Sequence, residues 1–282
     1  MTRIVSLLPA ATEIVFALGA GDELVGRSHE CDYPATVRDR PVVSRPALAL
    51  DDLTHAEIDA AVAERMRSGD SLYVVDEALL DALAPDVILT QDLCQVCAPS
   101  GNELVRALRM LPRQPDVLYL TPRTLAEIDE NIVAVGRAIG RLAEAQSLVA
   151  RNHERLERVR AKTRLLPRRT RVTFLEWVDP PFCAGHWVPE MIEIAGGEDP
   201  LGRAGADSVR ISWDDVRASK PEVVIVAPCG YGLEEATRLA VGVLEIIPGA
   251  RVVPVDANAY FARPGPRYAE GVEVLREVIA TP

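Results

Sequence analysis

"ALAPDVILTQDLC" at residues 82–94 and "ASKPEVVIVAPCG" at residues 218–230 share one plan: helix end, proline, acid, apolar run, then a loop holding a cysteine. The proline ends the helix, because its ring removes a backbone donor and restricts the residue before it. A short apolar run bounded by such turn signals reads as a strand buried on both faces. Two copies of this unit predict two halves built alike.

Working outward, "RIVSLL" opens the chain as a strand, followed by a helix starting near Thr12 and closing at Gly19 and Gly21. "ELVGRS" (23–28) is a second strand that empties into "HECDYP". A polar helix at 54–67 and a short strand "SLYVV" precede the first copy of the repeat. Strands alternating with helices predict α/β units with parallel sheets. Between the halves, apolar residues at 125, 128, 132, 135, 139, 142, 149, 156 and 159 form a stripe at helical spacing, with Gly136 and Gly140 inside it. We read this stripe as one long helix. The expected organisation is an N-terminal α/β lobe (1–121), a spanning helix (122–165) and a C-terminal α/β lobe (166–282).

Open parallel sheets bind ligands beyond the carboxyl ends of their strands. The loops expected there are "LLPAAT", "SHECDYP", "TQDLCQVCA", "EWVDPPFCAGHW", "APCGYG" and "DANAYFARPGPR". They hold all five cysteines, and also His29, His186, Trp177, Phe182, Trp187, Tyr231 and Tyr260, in a chain that is only 5% aromatic. Scarce aromatics collected at strand ends predict a ligand cleft, since flat rings offer apolar area at low entropic cost.

A net charge of −11 over 282 residues disfavours a nucleic-acid partner. The basic stretch 151–171 reads as a solvated helix end. No window reaches the roughly 18 apolar residues needed to span a bilayer, so the chain is not membrane-embedded. The start "MTRIVSLLPAATEIVFALGAG" has no secretory pattern. A cytosolic protein with reduced cysteines is the expectation, periplasmic only if the native start was trimmed.

"RIVSLLPAATEIVFALGAGDELVG", "SHECDYP", "LAPDVIL", "EMIEIAGGEDPLG", "KPEVVIVAPCG" and "VDANAYFARPGPRYAEGVEVL" together resemble the substrate-binding proteins of vitamin B12 and iron-complex ABC importers. The resemblance runs nearly end to end and is closest to the cobalamin-binding branch. It implies a two-lobed clamp of Rossmann-like lobes with a single long helix between them. It also implies binding without turnover of a corrinoid in the inter-lobe cleft, by a monomer that serves an ABC permease or a corrinoid-using protein.

Carried over by matching loops, Pro9, Ala10, Glu30 to Tyr33, Gln91 and Asp92 face the cleft from the first lobe. Trp187, Asp256, Tyr260 and Arg263 face it from the second. Glu77 and Glu198 stand near the two permease-docking positions. The chain departs from the family pattern in lacking an export signal, and in carrying Cys31, Cys94, Cys97 and Cys183 where aromatic and small polar groups are usual.

Those cysteines pose a separate question. Cys94-x-x-Cys97 supplies half of a structural zinc site, and the other ligands would have to come from distant loops such as His29-x-Cys31. Thiols with imidazoles nearby suit zinc, an iron–sulfur cluster or a cobalt thiolate rather than magnesium or calcium. The plainer reading is buried, inert thiols. Cys94 follows a strand, not a helix N-terminus, which disfavours a thioredoxin-like pair. His29 or His186 could ligate a metal centre through a neutral ring nitrogen, or simply be hydrogen-bonded in its loop. Other bound metal complexes (haem, a siderophore), a metal chaperone and a cytosolic enzyme remain open alternatives. No nucleophile elbow, P-loop or H-E-x-x-H pattern is present.

Overall fold

The structure, a computed structural model, describes residues 1–49, 53–68, 70–91 and 101–281. The chain runs β1 (Ile4–Ser6), α1 (Pro9–Ala17), β2 (Leu24–Ser28), β3 (Val42–Pro46), α2 (His55–Ser68), β4 (Tyr73–Val75), α3 (Glu77–Leu83), β5 (Val87–Thr90), α4 (Gly101–Met110) and β6 (Asp116–Tyr119). Then come α5 (Leu125–Ala138), α6 (Leu142–Thr163), β7 (Thr170–Val178), β8 (Pro181–Cys183), α7 (Val188–Ala195), β9 (Gly197–Glu198) and α8 (Trp213–Ser219). β10 (Val223–Val226), α9 (Leu233–Ile246), β11 (Arg251–Pro254), α10 (Ala257–Tyr260) and α11 (Tyr268–Ala280) complete it.

Two compact units result. One comprises Met1–Thr121 with Asp129–Val149, the other Pro122–Ile128 with Ala150–Pro282. The first holds a sheet in the order β4-β3-β2-β1-β5-β6, parallel except for β4, which runs antiparallel to β3. The second holds β11-β10-β7-β8, with β10 parallel to both neighbours and β8 folded back antiparallel on β7. The α/β, parallel-sheet architecture read from the alternation is therefore the one observed.

The repeat that predicted it is a structural repeat down to single bonds. α3 and α8 both end on a residue in the left-handed region, Ala84 (φ 41°) and Lys220 (φ 49°), directly before the proline. The acid that follows then clamps the neighbouring strand. Asp86 donates its N–H to Arg3 O (2.8 Å) and accepts from Arg3 N–H at Oδ2 (2.9 Å). Glu222 does the same with Arg171, N–H to O at 2.9 Å and Oε1 from N–H at 2.9 Å. In both units the arginine side chain closes the helix end: Arg3 Nε donates to Leu83 O and Arg171 Nε to Lys220 O. Val87–Thr90 and Val223–Val226 are then buried at every position. A cluster of Val5, Leu7, Val43, Ile88 and Leu104 forms the first core, and one of Leu175, Val178, Val224, Val226 and Val243 forms the second.

The expected single helix over 125–159 is interrupted. α5 ends at Ala138, Gly140 adopts φ 69°, and α6 begins at Leu142. A β-carbon on Gly136 would lie 2.5 Å from Ala145 Cβ and 2.8 Å from Arg141 O, so the chain turns sharply here. The stripe is buried at Ile128, Ile132, Val135 and Ile139 in the first segment; in the second Leu156 and Val159 are buried, Leu142 is exposed, and Leu148, outside the stripe, is buried. Periodicity reports which face is buried but not whether the axis is straight. Gly140→Ala meets no neighbour within 4 Å, so it should cost only left-handed strain, about 1 kcal/mol. A urea-midpoint comparison with wild type checks this.

Some elements were not anticipated. α1 starts at Pro9, with proline in the first helical turn where its missing donor costs nothing. β3, β6, β8 and β9 are too short or too polar to stand out by pattern alone. Among the described residues no helix is long and apolar enough to cross a membrane.

Candidate functional site

In the first unit, the loops after β1 and β2, and Gln91 directly after β5, lie at the carboxyl edge of the sheet. Pro9 and Ala10 open α1 there, with Ala10 buried. The loop after β2 is built around Arg27. Its Nη1 donates to the carbonyls of Ser28 (3.1 Å), His29 (3.4 Å) and Cys31 (3.2 Å), and its Nη2 to Arg38 O. One side chain thus fixes the backbone that presents His29, Glu30 and Tyr33. His29 Nδ1 lies 3.2 Å from Ser44 O and 3.3 Å from Ser28 Oγ, while Nε2 lies 3.0 Å from Glu30 Oε1. Tyr33 is 49% exposed and precedes a cis peptide to Pro34. Gln91, at the end of β5, is only 6% exposed. Asp92, Cys94 and Cys97 lie outside the described residues.

In the second unit, β7 and β8 form a hairpin in which Trp177 opposes Phe182. Residues 205–211 lie alongside it: Cys183 N–H donates to Val209 O (3.1 Å), Gly205 N–H to His186 O (2.9 Å), and Ile211 N–H to Pro181 O (2.9 Å). Under this layer sits Glu176. The residue is half-buried, but its carboxyl is enclosed; Oε1 accepts from Gly185 N–H (2.8 Å), and Ser208 also bonds it. Burial pushes that carboxyl up to about 7, and the nearby Asp199 carboxylate adds to the rise. Asp199 accepts from the N–H groups of Phe174, Leu201 and Gly202, yet burial still raises its pKa. Glu176 and Asp199 were missed as site builders, because an acidic residue carries no mark in sequence that it will be enclosed.

Trp177 and Tyr231 form an aromatic pair at the carboxyl ends of β7 and β10, ring centroids 5.7 Å apart. Asn258 fixes the Tyr231 loop through Nδ2 to Gly230 O (2.9 Å) and N–H to Tyr231 O (3.2 Å). Phe182 carries the Arg210 guanidinium over its ring at 5.8 Å, and Tyr260 that of Arg267 at 5.9 Å. Trp187 is placed differently from the open aromatic wall expected of it: it is buried, and its indole N–H donates to Phe261 O (3.0 Å). Arg263 is likewise buried. Asp256 caps α10, Oδ1 accepting from Ala259 N–H at 2.8 Å. His186 has φ 51° and Nε2 3.2 Å from Asp207 Oδ1, which also pairs with Arg123 at 2.9 Å; burial lowers its pKa against the pull of Asp207.

The metal reading of the cysteines gains nothing from the described residues. Cys31 is buried and its Sγ accepts from Thr12 Oγ1 at 3.0 Å. Cys183 is buried, and that burial pushes its thiol pKa up, away from the thiolate a metal requires. No group of three or more His, Cys, Asp or Glu among the described residues is arranged to hold a metal ion. Of the docking candidates, Glu77 is ion-paired to Arg106 Nε (2.8 Å), and Glu198 is exposed on β9.

Two mainly parallel sheets follow one another in the chain, with the helices α5 and α6 between them. Over residues 4–241 this chain matches the family model described as periplasmic binding protein. The chain belongs to that family. It is a substrate-binding protein of the ABC-importer type. Among curated relatives, the vitamin B12-binding protein of Vibrio vulnificus (strain CMCP6) is 26% identical over 289 residues, covering 99% of this chain and 90% of its own length. Among solved structures, the periplasmic heme-binding protein RhuT of Roseiflexus sp. RS-1 superposes with a TM-score of 0.73 at 22% identity, over 99% of this chain and 97% of that one. The periplasmic vitamin B12 binding protein BtuF of Vibrio cholerae gives 0.69 at 22%, over 98% and 96%. At these identities the two structures speak to fold.

Proposed function

We propose that this family member binds a corrinoid of the cobalamin class, without chemical turnover, through the carboxyl-edge loops of its sheets, and hands it to an ABC permease. The observation that carries the reading is the end-to-end relation to the Vibrio vulnificus vitamin B12-binding protein. The Trp177–Tyr231 pair supports it, since two rings held at a strand end suit the apolar surface of a macrocycle. Haem is the second reading, favoured by the fold shared with the heme-binding protein RhuT.

Titration of the purified protein with dicyanocobinamide, cyanocobalamin and hemin, read by calorimetry and absorbance, tests both. Saturable one-to-one corrinoid binding is the expected result. Binding of hemin with neither corrinoid would move the assignment to the second reading. Trp177→Ala with Tyr231→Ala should weaken corrinoid affinity roughly tenfold or more, from about 1 kcal/mol per aromatic contact. Unchanged affinity would remove that pair from the site.

A further inference from the structure

His29 is held in a way that the hydrogen bonding of its own loop does not need. Its backbone N–H already donates to Ser44 O (3.1 Å), and its ring Nδ1 approaches the same carbonyl at 3.2 Å. Ser44 and Ser28 are both buried, so that side of the imidazole rests on a fixed partner. The Tyr73 ring packs beside it, centroids 5.9 Å apart. Arg27 fixes the loop carbonyls on either side, as described above. The opposite ring nitrogen, Nε2, lies 3.0 Å from Oε1 of Glu30, one residue along; the His29 side chain is 24% exposed and that of Glu30 45%.

An imidazole whose Nδ1–H is engaged by a main-chain carbonyl, with Nε2 turned to the ligand side, is the arrangement in which histidine coordinates metals. His186, the other histidine in a strand-end loop, likewise has a carboxylate on Nε2, Asp207 Oδ1 at 3.2 Å. His55 and His153 belong to α2 and α6, not to strand-end loops.

We propose that His29 Nε2 is an axial ligand to the metal of a bound metallo-tetrapyrrole, a deepening that rests on the corrinoid reading above. The step is a ligand exchange. The Nε2 lone pair forms a bond to the metal, the metal–water bond breaks, water leaves, and no electron changes hands. Any proton carried by Nε2 passes to Glu30 or to solvent, and Nδ1–H stays on Ser44 O. The ligands favoured are those with an exchangeable axial position, as in aquacobinamide. Those with both axial positions filled by cyanide should bind without this bond.

The test compares aquacobinamide with dicyanocobinamide on wild type, His29→Ala and His29→Gln. Wild type should shift the visible bands of aquacobinamide to those of an imidazole-ligated corrinoid. His29→Ala should lose the shift and bind aquacobinamide roughly 10- to 100-fold more weakly. Added imidazole should restore the shift in His29→Ala, and the loss of affinity in His29→Ala should be several-fold smaller for dicyanocobinamide than for aquacobinamide. Dicyanocobinamide binding with no imidazole-type shift in wild type, or with the shift retained in His29→Ala, overturns the His29 assignment alone. Absence of binding by either corrinoid overturns the corrinoid reading and this inference with it.

Discussion

Gly185→Ala is expected to destabilise the second unit by about 3 kcal/mol, the upper end of what overpacking costs. A β-carbon at Gly185 would collide with the backbone N of Ser208 and lie 2.8 Å from Ser208 Cα and 2.9 Å from the carbonyl carbon of Asp207. These are main-chain atoms, so no rotamer change relieves the clash. Residues 206–208 would have to retreat as a piece, and they carry several bonds with them. His186 N–H donates to Ala206 O (2.6 Å), Ser208 Oγ to Cys183 O (2.6 Å), and Ser208 helps hold Glu176. Urea unfolding monitored by tryptophan fluorescence measures the loss directly. Hydrogen exchange should show it concentrated in residues 181–187 and 205–211. A variant within about 0.5 kcal/mol of wild type, the range of a neutral surface change, would mean that the two segments do not lie this close.

Glu176→Gln is expected to stabilise the protein at pH 8 by about 2–3 kcal/mol and to leave it unchanged near pH 4. The enclosed carboxyl is pushed from its ordinary 4.5 up to about 7, by burial first. A raised carboxyl pKa means that the folded state holds the proton more tightly than the unfolded chain does. Stability is therefore highest below pH 4.5, falls as pH rises through the interval from 4.5 to 7, and is flat above it. A shift of that size corresponds to about 3 kcal/mol across the window. Glutamine keeps an oxygen for Gly185 N–H and removes the charge, so the loss should vanish. Asp199, raised in the same direction, remains in the variant and leaves a residual slope. Denaturation midpoints of both proteins at pH 4, 5, 6, 7 and 8 decide the matter. Parallel curves would show that Glu176 is ionised and solvated throughout.

The candidate site was partly legible from sequence. Its loops could be located, because strand ends follow from the apolar runs and the ligand edge of a parallel sheet follows from strand direction. The jobs of single residues could not. Trp177 and Tyr231 meet as aromatics at strand ends, but Trp187, equally aromatic and in an equally glycine-rich loop, turns inward to Phe261. Asp256 looks the same on paper as a ligand-binding carboxylate and as the helix cap it is. Cys31 and Cys183 read equally well as metal ligands or as packing, and their burial and hydrogen bonds favour packing.

By itself the sequence determined the architecture. Proline, an acid and a buried tetrad recur at 85–90 and 221–226: the proline stops a helix, the acid clamps a neighbouring strand, and the tetrad fills the sheet. The proline and the apolar run survive in one dimension because the helix stop is local and the core partners are interchangeable; the acid's partner, by contrast, comes from far along the chain. Only the tertiary structure decided the break at Gly140, the enclosure of Glu176 between Gly185 and Ser208, and the posture of His29 against Ser44. Each of these depends on which particular atoms the folded chain brings together, and neither hydrophobic period nor residue type records which atoms those will be.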